Sequence, residues 1–262
     1  MNPEGKSSRA LTTSFPDTGA PYLPAPRDLP LVQGSGSVRP SSQPAGSAAI
    51  NFFSLPSKAR NNIYEEVLTV AHPLYLFRDT GPRVETFAPD KPLQWLALLF
   101  INRQMSSEAS AVLYGKNNFI LLDTPRQQIG LLQAFLDCVG PMNASLLSHL
   151  CINFPDIEGL PGESKLKEGS LLTLKLLRER CTNITTLETH VYSHNSGVFT
   201  RTDQDKLQFI REALSQIDVQ LRAMPSLDKI IVRVYGGTPT PSVMEFMQGF
   251  EWVVLPGNRN QW

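Results

Sequence analysis

Leu147-Ser148-His149-Leu150-Cys151-Ile152-Asn153-Phe154 is echoed downstream by Ile184-Thr185-Thr186-Leu187-Glu188-Thr189-His190-Val191 and by Leu227-Asp228-Lys229-Ile230-Ile231-Val232-Arg233-Val234. The echoes share the pattern Leu147-x-x-Leu150-x-Ile152-x-Phe154, with one polar replacement, Thr189, and their starts lie 37 and 43 residues apart. Alternation over four to eight residues is the period of a strand. A helical pattern precedes the second echo, over Leu171 to Arg180, and another precedes the third, over Asp203 to Met224. In the latter Leu207, Ile210, Leu214, Ile217 and Leu221 form the apolar face. Strands that alternate with helices predict parallel strands joined by right-handed crossovers. The fold class is therefore α/β, with α+β as the neighbouring possibility.

These units resemble irregular leucine-rich repeats, which stack to expose a binding surface. A short parallel sheet without solenoid curvature satisfies the same pattern.

Upstream, Pro125 to Cys138 reads as a helix with Ile129, Leu132, Phe135 and Leu136 inward, ended by Gly140-Pro141. Phe119 to Leu122 reads as a strand. Before it, Leu93 to Leu113 predicts one helix, whose buried stripe is Trp95, Leu98, Ile101, Met105, Ala109 and Val112. Leu74 to Phe77 predicts a short strand. A first helix begins at Pro56, a residue suited to the opening turn, and stops before His72-Pro73. Its apolar side is expected at Ala59, Ile63 and Val67, flanked by Tyr64 and Leu68.

Residues 1–48 hold eight of the 21 prolines, with much serine and glycine. Such a segment cannot bury enough surface to offset roughly 1–2 kcal/mol of backbone entropy per residue, and a disordered tail is expected. The expected organisation is that tail, a helical segment over 49–122, an α/β region over 123–255 packed on it, and a flexible end over 256–262.

Composition narrows the function. The 24 basic and 24 acidic residues cancel, and no block of like charge stands out, which argues against nucleic acid and against an acidic membrane surface. The longest apolar run, Trp95 to Ile101, is too short to span a bilayer. No secretory signal is visible, and the three separated cysteines, Cys138, Cys151 and Cys181, read as reduced thiols, so an intracellular protein, cytoplasmic or nuclear, is expected.

Known catalytic motifs are missing: no G-x-S-x-G, no G-x-x-x-x-G-K-[ST], no H-E-x-x-H and no C-x-x-C. His190 and His194 sit four apart at a strand end and share no face, so no metal pair is read there. His149 reads as a surface residue. Gly236-Gly237-Thr238-Pro239 follows a strand but groups with no acid, base or lysine. No enzyme, no cofactor and no metal are expected.

Three segments carry a family resemblance, the third being Phe135-Leu136 with Gly140-Pro141-x-Asn143 and Leu147-x-x-Leu150-x-Ile152. The first is Phe53-x-Leu55-Pro56-x-x-x-Arg60-Asn61-x-Ile63-Tyr64-x-x-Val67-Leu68, and the second is Arg103-Gln104-x-x-x-Glu108-Ala109-x-x-x-Leu113-Tyr114-Gly115-x-Asn117-x-Phe119. They resemble the fungal F-box-like two-EXR family, whose opening segment and following helix have this form. The sequence departs from that pattern at Lys58 and Ala59, where the family has Glu and an aliphatic residue, and at Asn102, where it has Cys. The resemblance implies an F-box-like helical segment and a protein partner, such as a Skp-type cullin adaptor, contacted by Leu55, Pro56, Ile63, Tyr64 and Leu68. The family motif itself is carried by Arg60, Arg103, Gln104, Glu108, Ala109 and Tyr114; of these, Arg103, Gln104 and Glu108 lie off the apolar stripe of their helix and are read as bridging it to the Phe52–Leu68 segment, or as recognising a partner. A scaffold of the same fold with no ubiquitin-ligase role is the alternative.

Overall fold

The computed structural model describes residues 12–14, 51–78, 81, 83–88, 91, 94–159, 164–192, 199, 204–235 and 237–257. The expected tail over 1–48 lies outside these residues, apart from Thr12–Ser14. Those three depart from it by forming a strand, β1.

After a 3-10 turn at Phe52–Ser54 the chain runs through α1 (Ser57–Leu68), β2 (Leu74–Phe77) and β3 (Glu85–Phe87). A second 3-10 turn at Trp95–Phe100 leads to α2 (Arg103–Lys116), β4 (Asn118–Leu121), α3 (Gln128–Ala144) and β5 (His149–Asn153). A small hairpin, β6 (Ile157–Glu158) with β7 (Lys165–Leu166), precedes α4 (Glu168–Arg180) and β8 (Thr186–Val191). Then come α5 (Gln204–Arg222), β9 (Lys229–Val234), α6 (Pro241–Gly249) and β10 (Val253–Pro256).

The main sheet has the order β1-β3-β2-β4-β5-β8-β9-β10. From β2 to β10 every neighbouring pair is parallel, while β3 and β1 are antiparallel additions at one edge. The parallel strands thus follow one another in chain order, so crossovers of one hand put the helices on one face. The core agrees. Leu76, Leu121, Leu150, Leu187, Ile230 and Val232 share one apolar cluster with Leu132 of α3, Leu177 of α4, Leu214 of α5 and Met247 of α6.

The three sequence echoes are in register. Leu150 pairs with Leu187 and Leu187 with Ile230, and Ile152, Thr189 and Val232 follow in the next row. The turns repeat as well: Ser148 O accepts from the Thr185 and Thr186 N–H groups, and Thr185 O accepts from those of Asp228 and Lys229.

Three expectations need correction. The helix foreseen over Leu93–Leu113 is two elements, because Asn102 has extended φ/ψ and its side chain caps α2 by accepting from Met105 N–H at 2.9 Å. Ile101, assigned to the buried stripe, is consequently 57% exposed. The inward face of α1 is Arg60, Tyr64 and Leu68, one position on from the expected Ala59, Ile63 and Val67. Gly140, at φ 77°, breaks α3 as Gly-Pro demands, yet another helical turn follows it.

Candidate functional site

Two polar clusters stand out, one between helices and one on the sheet. The first joins α1 to α2. Arg60 donates to both carboxylate oxygens of Glu108, from Nε at 2.8 Å and from Nη2 at 2.7 Å. Its Nη1 donates to the Leu55 carbonyl at 2.7 Å, tying the turn before α1 to the same guanidinium. Tyr64 Oη and Gln104 Nε2 donate to the remaining lone pairs of Glu108 at 3.1 and 3.0 Å. Hydrogen bonds from Arg60 above all, then from Gln104 and Tyr64, hold the Glu108 carboxyl down to about 2. A bidentate guanidinium–carboxylate pair fixes orientation as well as distance.

Four residues of the first two quoted segments, Arg60, Tyr64, Gln104 and Glu108, therefore meet in one network. Ala109 and Tyr114 are buried in the core below it. Arg103 is exposed at the first turn of α2. A second clasp uses Asn117, which accepts from Val70 N–H and donates to the Leu68 and Leu113 carbonyls.

The five expected adaptor contacts separate. Tyr64 and Leu68 are fully enclosed by the chain, which corrects their reading as contact residues. Leu55 is half-buried, Pro56 is exposed and Ile63 is 41% exposed. Phe100 and Ile101, just ahead of α2, are also exposed.

The second cluster occupies the sheet face away from the helices. Side chains alternate between faces along a strand, and Ile120, Cys151 and Ile231 are buried but lie outside the helix-side cluster. One row across this face runs Tyr75, Ile120, Cys151, Glu188, Ile231 and Val253; the next contains Asn153, His190, Arg233 and Leu255. Cys151 Sγ lies 3.0 Å from His190 Nε2, and the same nitrogen is 2.8 Å from Glu188 Oε1. Arg233 Nε donates to Glu188 Oε1 at 2.6 Å and Nη2 approaches Oε2 at 3.3 Å. His190 Nδ1 is 3.3 Å from Tyr192 Oη, and the Tyr192 and Tyr235 rings stack beside the imidazole. Gly257 passes so close to Tyr235 that a Cβ there would sit 2.4 Å from the ring.

Burial pushes the Glu188 carboxyl up, but hydrogen bonds from His190 and Arg233 outweigh it and leave it at about 2. Burial, and secondarily the charge of Glu188, push the Cys151 thiol well up. The thiol and the carboxylate address the same ring nitrogen, so this is no nucleophile–base–orienter triad, in which they would flank the ring.

An open cleft of about 610 Å³ adjoins this cluster at the carboxyl ends of β4, β5 and β8. Its lining includes Asp123, Arg126, Asn153, Asp156, Lys167 and Tyr192.

No family model, curated protein or solved structure matches this chain.

The sequence reading missed the sheet cluster. In sequence His190 stands nearest His194, which lies outside the described residues, and Cys151 reads only as a reduced thiol. The signal was present, because aligning the first two echoes puts Cys151 beside Glu188 and Asn153 beside His190. His149, read as a surface residue, is half-buried, and its Nε2 is enclosed without a hydrogen-bond partner. Cys138, Cys151 and Cys181 are not joined by a disulfide. Gly236 is outside the described residues, and none of the described residues of the loop after β9 lines the cleft. Among the described residues, no helix is long and apolar enough to cross a membrane.

Proposed function

We propose that this chain is a non-enzymatic protein-interaction protein of the two-EXR, F-box-like kind. Its α1–α2 segment docks on a Skp-type cullin adaptor, and its strand–helix units, of irregular leucine-rich-repeat type, hold a target. The supporting observation is the division of labour on α1. Arg60, Tyr64 and Leu68 face inward and lock the helix to Glu108 and the core, while Pro56 and Ile63 face out. Exposed large apolar side chains on a rigidly held helix are what a protein interface uses as anchors. Tyr64 and Leu68 leave the contact set, which becomes Leu55, Pro56 and Ile63.

Native affinity purification followed by mass spectrometry tests this. A cullin adaptor is expected with the wild-type chain and is lost with Leu55→Asp/Ile63→Asp, provided that the variant keeps its helical circular dichroism. Adaptor capture that persists in a folded double variant overturns the reading.

A scaffold with no ubiquitin-ligase role is the second reading, and one observation favours it. Lys58, where the family carries an acid, is exposed on α1 beside the proposed contacts. That version gives partners without cullin subunits in the same purification.

A further inference from the structure

The sheet cluster has more electron-pair donors than protons to share. His190 Nε2 faces Cys151 Sγ at 3.0 Å and Glu188 Oε1 at 2.8 Å, and a single N–H can point squarely at only one of them. If the ring proton sits instead on Nδ1, toward Tyr192 Oη, then Nε2, the carboxylate and the sulfur present lone pairs to one another. One ligand atom from each residue lies within 4.8 Å of the other two, and all three residues are buried.

We propose that Cys151, Glu188 and His190 form a binding site for a single zinc ion. The donor set suits it: thiolate, imidazole and carboxylate are the three protein ligands zinc takes, at roughly 2.3, 2.0–2.1 and 2.0–2.2 Å. Tetrahedral geometry at those lengths places donor atoms about 3.3–3.6 Å apart. Each observed contact therefore opens by about half an ångström or a little more. The outer shell is in place as well, since Arg233 orients the Glu188 carboxylate and Tyr192 Oη stands at the far nitrogen of the imidazole. Tyr192, whose Oη meets the imidazole, and Asn153, paired with His190 across the strands, also line the cleft at the strand ends, the side on which the cluster approaches open solvent. On binding, the Cys151 S–H bond breaks heterolytically, its electron pair goes to the metal, and one proton leaves to solvent. Arg233 is the competing source of positive charge, and with the His190 ring it holds the Glu188 carboxylate when no metal binds.

Cobalt(II) is the spectroscopic probe, added to the chelator-treated full-length chain. One saturable equivalent is expected, with tetrahedral visible bands and a thiolate-to-cobalt charge-transfer band, and zinc should abolish both. Cys138→Ser/Cys181→Ser, which keeps Cys151 as its only thiol, should retain the charge-transfer band. Cys151→Ser should lose it, and Glu188→Gln should weaken binding at least tenfold. The proposal is overturned if the folded wild-type chain shows no saturable binding, or if the double-serine variant loses the band. It is overturned equally if a folded Cys151→Ser protein keeps the band. Because α1 and α2 are untouched, none of these outcomes bears on adaptor capture.

Discussion

Two arginine–glutamate pairs organise this protein in different surroundings. Arg60 and Glu108 join two helices near the surface, where the Glu108 side chain is 26% exposed. Arg233 and Glu188 join two strands, and the Glu188 side chain is only 7% exposed. Both carboxyls are held at about 2, but for Glu188 the hydrogen bonds must first overcome a desolvation cost that is its largest single influence. A pair whose carboxylate keeps contact with water contributes orientation at little cost in either direction, whereas a pair whose carboxylate is buried makes each partner indispensable to the other. The contrast predicts that the helix clasp tolerates damage and the sheet cluster does not.

Arg233→Leu is the severest test. It leaves Glu188 charged and buried with only His190 as donor, and the expected loss is about 3 kcal/mol. That is the lower end for breaking a buried pair, because the arginine side is partly open to solvent. Arg60→Leu should cost clearly less by urea denaturation, since water can replace the guanidinium at Glu108. Equal losses would remove burial as the distinction between the two sites.

Much of this architecture is legible from periodicity, because strands and helices that pack on one core advertise their inward faces. Leu74–Phe77 is recovered to the residue, and the three echoes mark strands that really lie in register. Periodicity fails on α1 for a specific reason. Arg60 is buried because Glu108, 48 residues on, neutralises it, and no local pattern reveals a partner that distant. Local pattern alone sends a polar residue outward, which displaces the helix face by one position. Asn102 misled in the opposite way. Its capping geometry cuts in two a run of apolar residues that continues the helical spacing without a break.

Acid should affect both regions with the same sign. Each carboxyl titrates lower in the folded chain than its ordinary 4.5. As pH falls below that value the unfolded chain takes up protons first, so stability falls progressively toward pH 2. Glu188→Gln and Glu108→Gln should each flatten the slope of unfolding free energy over this window. A slope unchanged in either variant would mean that its carboxylate is not held down in solution.

Salt should separate what acid does not. Raising ionic strength from about 0.1 to about 1 M shortens the screening length from roughly 10 to 3 Å, and exposed charges feel this most. Double-mutant cycles should show the Arg60–Glu108 coupling shrinking with salt while the Arg233–Glu188 coupling holds. Parallel decline in both would place water at the sheet cluster as freely as at the helices.

The smallest effect on stability is expected one residue from Tyr64. Ile63 lies on the flank of α1 beside the Arg60 clasp and is 41% exposed, outside the apolar cluster, so Ile63→Asp uncovers no core and breaks no hydrogen bond. A surface change of this kind stays within about 0.5 kcal/mol, including the modest helix preference lost at aspartate. The same substitution should nevertheless abolish adaptor capture, because a carboxylate buried against an apolar partner has nothing there to pair with. That combination, an undisturbed melting curve with lost binding, is what a residue held out for a partner must show. If Ile63→Asp instead unfolds the protein, the outer side of α1 is covered by the chain itself, and the helix clasp becomes as intolerant as the sheet cluster it is contrasted with.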